Sequence, residues 1–192
     1  EAYYHKTIKR LESVRDLIPF ANQRYIRING RNCRNPYFYK ENFRKKVKEL
    51  LCDTNEFALI HGDCTFSNTM VDSDLNIIFL DPRGYFGFQE LYGDEYYDWA
   101  KVYYSINGDY DQFNNKHFEL LIKENEIILN ISTNGWKDLG DYFLSRIKDC
   151  NPMKIKFLHA IIWLSLTTYA WEDYDSICGA FYNGTYLLEE VL

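Results

Sequence analysis

The stretch FALIHGDCTFSNTMVDSDLNIIFLDPRGYFGFQELYGDEYYDWA, Phe57 to Ala100, decides how this chain is read. Phe57 to Ile60 is a short apolar strand running into His61-Gly62-Asp63, and Asn68 follows in the same loop. A carboxylate and a carboxamide thus share one connection at a strand end, where side chains converge on ligands. Thr69 to Val71 and Leu75 to Leu80 read as the arms of a hairpin, turned by Asp72, Ser73 and Asp74. The second arm is strongly apolar and reads as a buried strand with Asp81 exposed at its tip. An aspartate so placed is a common device for holding a hard cation. Pro82-Arg83-Gly84 turns the chain, and Gly93-Asp94 caps a helix that runs to about Ile106. Tyr97, Ala100 and Tyr104 share its apolar face.

Toward the amino terminus, Ile8, Leu11, Val14 and Ile18 recur at helical spacing from Tyr4 until Pro19 stops the run. Residues 20–35 are polar, rich in Asn and Arg, and read as irregular. Asn35-Pro36 reads as an N-cap with proline at the first helical position, and Phe43, Val47 and Leu50 as that helix's buried stripe. Toward the carboxy terminus, Phe118, Leu120 and Ile122 alternate, Glu124-Asn125 turns, and Ile127, Leu129 and Ile131 alternate again, predicting a second hairpin. Trp136, Leu139, Phe143 and Ile147 have helical spacing. The helix from about Pro152 is apolar almost all round and belongs at the centre of a helical layer. Its apolar run, Phe157 to Trp171 closed by Glu172, would span roughly 22 Å as a helix, short of the bilayer core of about 30 Å. Ala180, Leu187 and Val191 lie on a last helix. The expected fold is a mainly helical α+β unit with two small hairpins, one domain over residues 1–192.

Asp and Glu number 28 against 22 Lys and Arg, a net charge of −6 that disfavours a general nucleic-acid binder or a peripheral membrane protein. It does not exclude phosphate ligands, because a metal ion or one arginine reverses the sign locally. The five cysteines never fall in a C-x-x-C spacing and read as reduced thiols of a cytoplasmic protein. Cys64 lies in the loop without an adjacent base, so a nucleophilic role is not expected. Glu1 is not a methionine and already lies in a helical pattern, so the chain is expected to be a piece of a longer protein.

Taken in order, these residues resemble the catalytic and metal-binding loops of the kinase-like phosphotransferases, most closely the aminoglycoside phosphotransferase and choline kinase branch. His61-Gly62-Asp63 with Asn68 looks like that branch's HGDxxxxN, and Asp81 falls about where its second metal-binding aspartate falls. Gly93-Asp94 with Asp98-Trp99-Ala100 is similar to its downstream GD…DLA segment, with tryptophan in place of leucine. The resemblance implies a protein-kinase-like fold, of which this chain is the carboxy-terminal lobe, and a Mg²⁺-bound ATP or GTP. It implies that Asp63, with His61, is catalytic, that Asn68 and Asp81 hold the metal and nucleotide, and that Asp98 shapes the loop through its backbone. On its own, His61 more often packs beneath such a loop than acts as acid or base. Arg83 has two readings, a clamp on phosphate or a partner for a nearby carboxylate.

No Gly-rich phosphate loop and no strand lysine with a helix glutamate precedes the loop, so the amino-terminal nucleotide lobe is absent. Thr65 stands where serine/threonine protein kinases carry lysine, which argues for a small alcohol rather than a protein as acceptor. Pro82-Arg83-Gly84 departs from both D-F-G and the aminoglycoside-type IDxE. With the tyrosine-rich YGDEYYDWAKVYYS it looks more like the phosphotransferase-like proteins of bacterial surface-polysaccharide loci. The expected activity is transfer of a nucleotide's γ-phosphoryl group to a sugar, sugar phosphate, aminoglycoside or choline-like alcohol. The alternatives are a non-catalytic module of the same fold and a metal-dependent phosphohydrolase. Apolar surface near the Phe57 strand and the first helix is expected to stay exposed and favour self-association.

Overall fold

The computed structural model describes residues 3–52, 57–169 and 173–192. Its helices are α1 (His5–Val14), α2 (Lys40–Leu51), α3 (Glu95–Ile106), α4 (Tyr110–Asn114), α5 (Gly140–Arg146), α6 (Pro152–Leu166) and α7 (Tyr174–Val191). The strands are β1 (Tyr25–Ile28), β2 (Arg31–Arg34), β3 (Ala58–Leu59), β4 (Thr69–Val71), β5 (Ile77–Phe79), β6 (Tyr85–Phe86), β7 (Gln89–Glu90), β8 (Tyr92–Gly93), β9 (Phe118–Ile122) and β10 (Ile127–Ile131). The class is α+β, as expected.

The centre is α6. Asn151 Oδ1 accepts from the backbone N–H groups of Met153 and Lys154 at 3.1 and 3.3 Å, and Pro152 follows at the first helical position, so the start is capped twice over. Ile155, Phe157, Leu158, Ile161, Trp163 and Leu164 are all buried, which is what an all-round apolar sequence requires. α7 comes close because Gly184 faces α6: a Cβ there would lie 2.8 Å from Leu164, side chain and backbone nitrogen alike. On another side α3 sets Tyr104 edge-on to Trp163, ring centroids 5.0 Å apart. The predicted end of the apolar run at Trp171 and Glu172 lies outside the described residues, as do Glu1 and Ala2. No helix among the described residues is long and apolar enough to cross a membrane.

The hairpin over 118–131 forms, but it is half of a four-stranded sheet ordered β2-β1-β10-β9. The other half lies in residues 20–35, whose polar composition predicts irregular chain. Asn29-Gly30 takes positive φ at both positions (46° and 80°), the two-residue turn whose twist suits a hairpin. Ile26 and Ile28 are the buried pair of β1, with polar neighbours facing out. The Asn29 side chain then bonds both backbone groups of Leu129, at 2.9 Å each, and joins the two hairpins.

Asn35 is not a helix cap. Its side chain is fully buried, accepting from Tyr37 N–H and donating to the carbonyls of Phe20, Ala21 and Gln23, so it ties down a turn. Helix α2 therefore begins later, and Leu51 rather than the half-buried Leu50 completes its stripe with Phe43 and Val47. Helix α5 is likewise shorter than its spacing suggested, with Trp136 and Leu139 exposed and Leu144 turned inward.

The hairpin β4–β5 forms with the predicted turn, where Asp72 Oδ1 accepts from Asp74 and Asn76 N–H at 2.9 and 2.8 Å. Its second arm, however, is not buried. Leu75 is 81% exposed and Ile77 63%, because the ribbon has only two strands and no described layer packs on either face. The expected open apolar surface beside Phe57 is thus present. Near the first helix, Tyr85 is exposed beside Lys6 of α1, while Leu11 and Val14 of the helix itself are buried.

Candidate active site

The loop of residues 61–68 leaves β3, which pairs antiparallel with β8. Its shape is set from α3. The carboxylate of Asp98, in the first turn of α3, accepts from the backbone N–H groups of His61 and Gly62 at 2.7 Å each. Two charge-assisted bonds from one carboxylate make a firm clamp, and the helix N-terminus favours the negative charge there. Ser105 Oγ accepts from Phe66 N–H and Asp111 Oδ1 from Ser67 N–H, both at 3.0 Å, so α3 and α4 fix the far end of the loop. Gly62 is required: its φ is +80°, and a Cβ would lie 2.9 Å from the Arg83 Cβ. The Arg83 N–H donates to the His61 carbonyl at 2.9 Å, joining this loop to the Asp81-Pro82-Arg83 turn.

Asp63 is gripped from two sides. Lys101, nearly buried on α3, holds Oδ1 at 2.8 Å, and Asn68 Nδ2 donates to Oδ2 at 3.3 Å and to the Asp63 carbonyl at 2.8 Å. Burial pushes the Asp63 carboxyl up, but the charge and hydrogen bond of Lys101, then the charge of Arg83, outweigh it and hold the group below its ordinary range. The group is an ionised acceptor, able to orient a hydroxyl.

Asp63 and Arg83 both line a cavity of about 320 Å³ bounded by α1, α3, α4 and α6. Arg83 donates to Tyr97 Oη at 3.1 Å and makes no ion pair among the described residues. His61 is elsewhere: its ring lies 5.5 Å from Phe79, Nδ1 accepts from Asp63 N–H at 3.2 Å, and Nε2 is buried without a partner among the described residues. That placement suits a brace under the loop better than a group in the cavity. Cys64 is buried, its thiol pushed up chiefly by burial, and donates to the Asp98 carbonyl at 3.2 Å, which suits no nucleophile.

Asn68 and Asp81 are not among the residues that line the cavity. Leu80 N–H donates to the Asn68 carbonyl at 2.8 Å, so the residue next to Asp81 in the chain is bonded to Asn68. Asp81 has a φ of +55°, is exposed, and has no side-chain partner among the described residues. One carboxylate and one carboxamide oxygen suit Mg²⁺, which takes few protein oxygens and fills its remaining positions with water and phosphate. A two-metal hydrolase centre needs more, and among the described residues no group of three or more His, Cys, Asp or Glu is disposed to hold a metal.

Asp94 is the N-cap of α3, accepting from Tyr96 N–H at 3.0 Å, and its buried carboxylate is further held by Tyr3 and Lys154. That leaves it no role as a ligand. Lys101 is a site residue that sequence reasoning missed, although a signal existed: it is the one charge on the Tyr97–Ala100–Tyr104 face of α3. No protein-family profile, curated protein or solved structure matches this chain.

Proposed function

We propose that this chain is the acceptor-and-metal lobe of a cytoplasmic, kinase-like small-molecule phosphotransferase. Asp63 carries the reading: an ionised carboxylate on a cavity wall, held by Lys101 and Asn68 in a loop clamped by Asp98. The reaction joins an acceptor hydroxyl oxygen to the γ-phosphorus of ATP or GTP as the bond from that phosphorus to the β–γ bridging oxygen breaks. The hydroxyl proton passes to Asp63, and the nucleoside diphosphate leaves. Because the transition state of phosphoryl transfer is loose, the carboxylate's work is to orient the hydroxyl, and a weak base suffices. Mg²⁺ held by Asn68 and Asp81 would neutralise charge on the phosphate oxygens. All five cysteines are free, in keeping with a reducing compartment.

Positioning supplies about 7–11 kcal/mol of such a barrier, and the resemblance assigns half of the phosphate clamp to an amino-terminal lobe. The chain alone is therefore expected to bind Mg²⁺-nucleotide weakly and transfer nothing. Calorimetric titration with Mg²⁺-ATP and Mg²⁺-GTP, beside a sensitive transfer assay, tests this. Binding that survives Asp63→Ala and is lost in Asp81→Ala is the expected pattern; no binding at any Mg²⁺ concentration would sink the reading. Robust Asp63-dependent transfer by this chain alone would mean that the clamp lies among its own residues rather than in a second lobe. One observation favours the second reading, a non-catalytic module: Lys101 already neutralises Asp63. Transfer that stays absent once a nucleotide lobe is supplied would establish it.

A further inference from the structure

The cavity beside Asp63 carries five cationic side chains, Lys6, Arg10, Arg83, Lys101 and Lys116, against a single carboxylate, Asp63 itself. That is the reverse of the whole chain, whose net charge is −6. Two of the five are neutralised, Lys101 by Asp63 and Lys116 by Asp173. Lys6, Arg10 and Arg83 face no carboxylate within ion-pair distance among the described residues, and their contacts are neutral. Arg10 donates to the Ser165 carbonyl and to Tyr169 Oη at 2.9 Å each, while Lys6 stands over the Tyr85 ring at 5.7 Å. Lys6 and Arg10 are four residues apart on α1 and so share one face of the helix.

The surplus charge is felt by its neighbours. Burial, then the charge of Arg10, and more weakly Arg83 and Lys101, hold the Lys6 ammonium below its ordinary value. Burial raises the Tyr169 phenol, but the hydrogen bond and charge of Arg10, followed by Arg83 and Lys6, bring it down overall. Half-buried cations crowd together at a cost unless something negative sits among them.

We infer that the acceptor is itself an anion: a polyhydroxylated molecule of monosaccharide size bearing a phosphate or carboxylate, its negative group on Lys6, Arg10 and Arg83 and a hydroxyl on Asp63. The role of acceptor rests on the phosphotransfer reading; the sign of the ligand's charge rests on the cavity alone. A volume of about 320 Å³ suits one sugar ring, and Tyr97 and Tyr110 are among the residues that line the cavity. A choline-like or aminoglycoside acceptor would meet like charge. The other source of negative charge is the nucleotide: Arg83, which has a phosphate-clamp reading, lines this cavity, but Asn68 and Asp81, the proposed holders of metal and nucleotide, do not.

The test is calorimetric titration of the chain with a hexose monophosphate, a hexuronate, a neutral hexose and choline, and separately with Mg²⁺-ATP. At least one anion should bind ten-fold or more tighter than the neutral hexose, and choline should not bind. Lys6→Gln and Arg10→Gln should each weaken the anion ten-fold or more, while leaving Mg²⁺-ATP unchanged. Lys9→Gln, an exposed charge on the same helix, should change neither. If Arg10→Gln misfolds, Lys6→Gln and suppression of anion binding by salt carry the test. Failure of both anions to bind, equal binding of hexose or choline, or indifference to both substitutions would overturn the proposal. So would a parallel loss of Mg²⁺-ATP affinity, since the cations would then belong to the nucleotide's own phosphates. Anion binding without any Mg²⁺-ATP binding would instead leave the anionic site standing and remove the phosphotransfer reading.

Discussion

Helices α6 and α7 and the segment 57–92 are both rich in large apolar residues, and the two are built in opposite ways. In the helices Phe157, Leu158, Trp163 and Phe181 lie wholly inside. In the segment Leu59, Met70, Ile77, Phe79 and Phe88 are each at least half exposed. What holds the segment is chiefly hydrogen bonding from α3 and α4, through Asp98, Ser105 and Asp111 to loop backbone groups, with Phe86 packed edge-on against Tyr3 and Tyr97. Stability therefore resides in the helical layer, while the segment contributes chemistry and shape. Substitutions in the two regions should separate accordingly.

The largest effect should come from Trp163→Ala. It opens a cavity at the centre of α6 and deprives His159 Nε2 of its donor, the indole N–H at 3.0 Å. Truncation of a buried tryptophan costs about 3–5 kcal/mol. At roughly 2–4 °C per kcal/mol for a chain of this size, the thermal midpoint should fall by on the order of 10 °C. A drop as large from a change in the 69–80 hairpin would erase the distinction.

Acid should attack the same layer. His159 is buried, and burial holds its imidazole down at about 3, against an unfolded value near 6.5. The neutral form is the folded form, so stability is intact above about pH 6.5 and is lost as pH falls toward 3, at about 1.4 kcal/mol per unit. The lowered carboxyls of Asp63 and Asp173 act in the same direction, but only as pH nears their own ordinary range, so pH 5–6.5 reports on His159. Urea titrations across that interval should show the slope in the wild type and lose it in His159→Gln. An unchanged slope in that variant would assign the acid sensitivity elsewhere.

Asp98→Asn tests the other half of the comparison. The carboxamide keeps one acceptor oxygen for two N–H donors, which leaves one loop N–H poorly satisfied at about 1–3 kcal/mol. Global stability should drop near the low end of that range, because no packing is lost. The loop of residues 61–68 should become protease-sensitive well before the helices melt. Cleavage rates unchanged from the wild type would mean that the clamp is redundant.

This division also explains what could be read in advance. Helix α6 and the 118–131 hairpin were legible because local pattern and environment agree in them. The 69–80 hairpin was legible because its turn residues are local, although the exposure of its apolar second arm was not. Asp98 was legible too, its clamp implied by the family resemblance. The Tyr25–Arg34 hairpin was hidden by its Arg and Asn content, although Asn29-Gly30 between alternating residues was a usable signal. Asn35 before proline looks like a cap in any sequence, and only the fold brings three carbonyls around its amide. The site was half legible. Its acidic and amide groups follow one another in the chain, whereas the cations meet only when α1, α3 and the 81–84 turn converge.

The smallest effect on stability, and the most direct probe of the exposed face, is Ile77→Thr in β5. Ile77 is 63% exposed on a two-stranded ribbon, so the exchange removes little buried area and keeps a β-branched side chain. Surface substitutions of this kind fall within about 0.5 kcal/mol, and the thermal midpoint should move by no more than a degree or two. Association should respond where stability does not. Met70, Val71, Ile77, Ile78 and Phe79 form a contiguous apolar ribbon, a surface that draws copies together or accepts a partner. Sedimentation velocity over a range of concentrations should show self-association in the wild type and less of it in Ile77→Thr, more markedly still when Met70→Thr is added. A midpoint that falls as it does in Trp163→Ala would show the ribbon to be packed in solution. Association insensitive to both changes would move the contact to another surface.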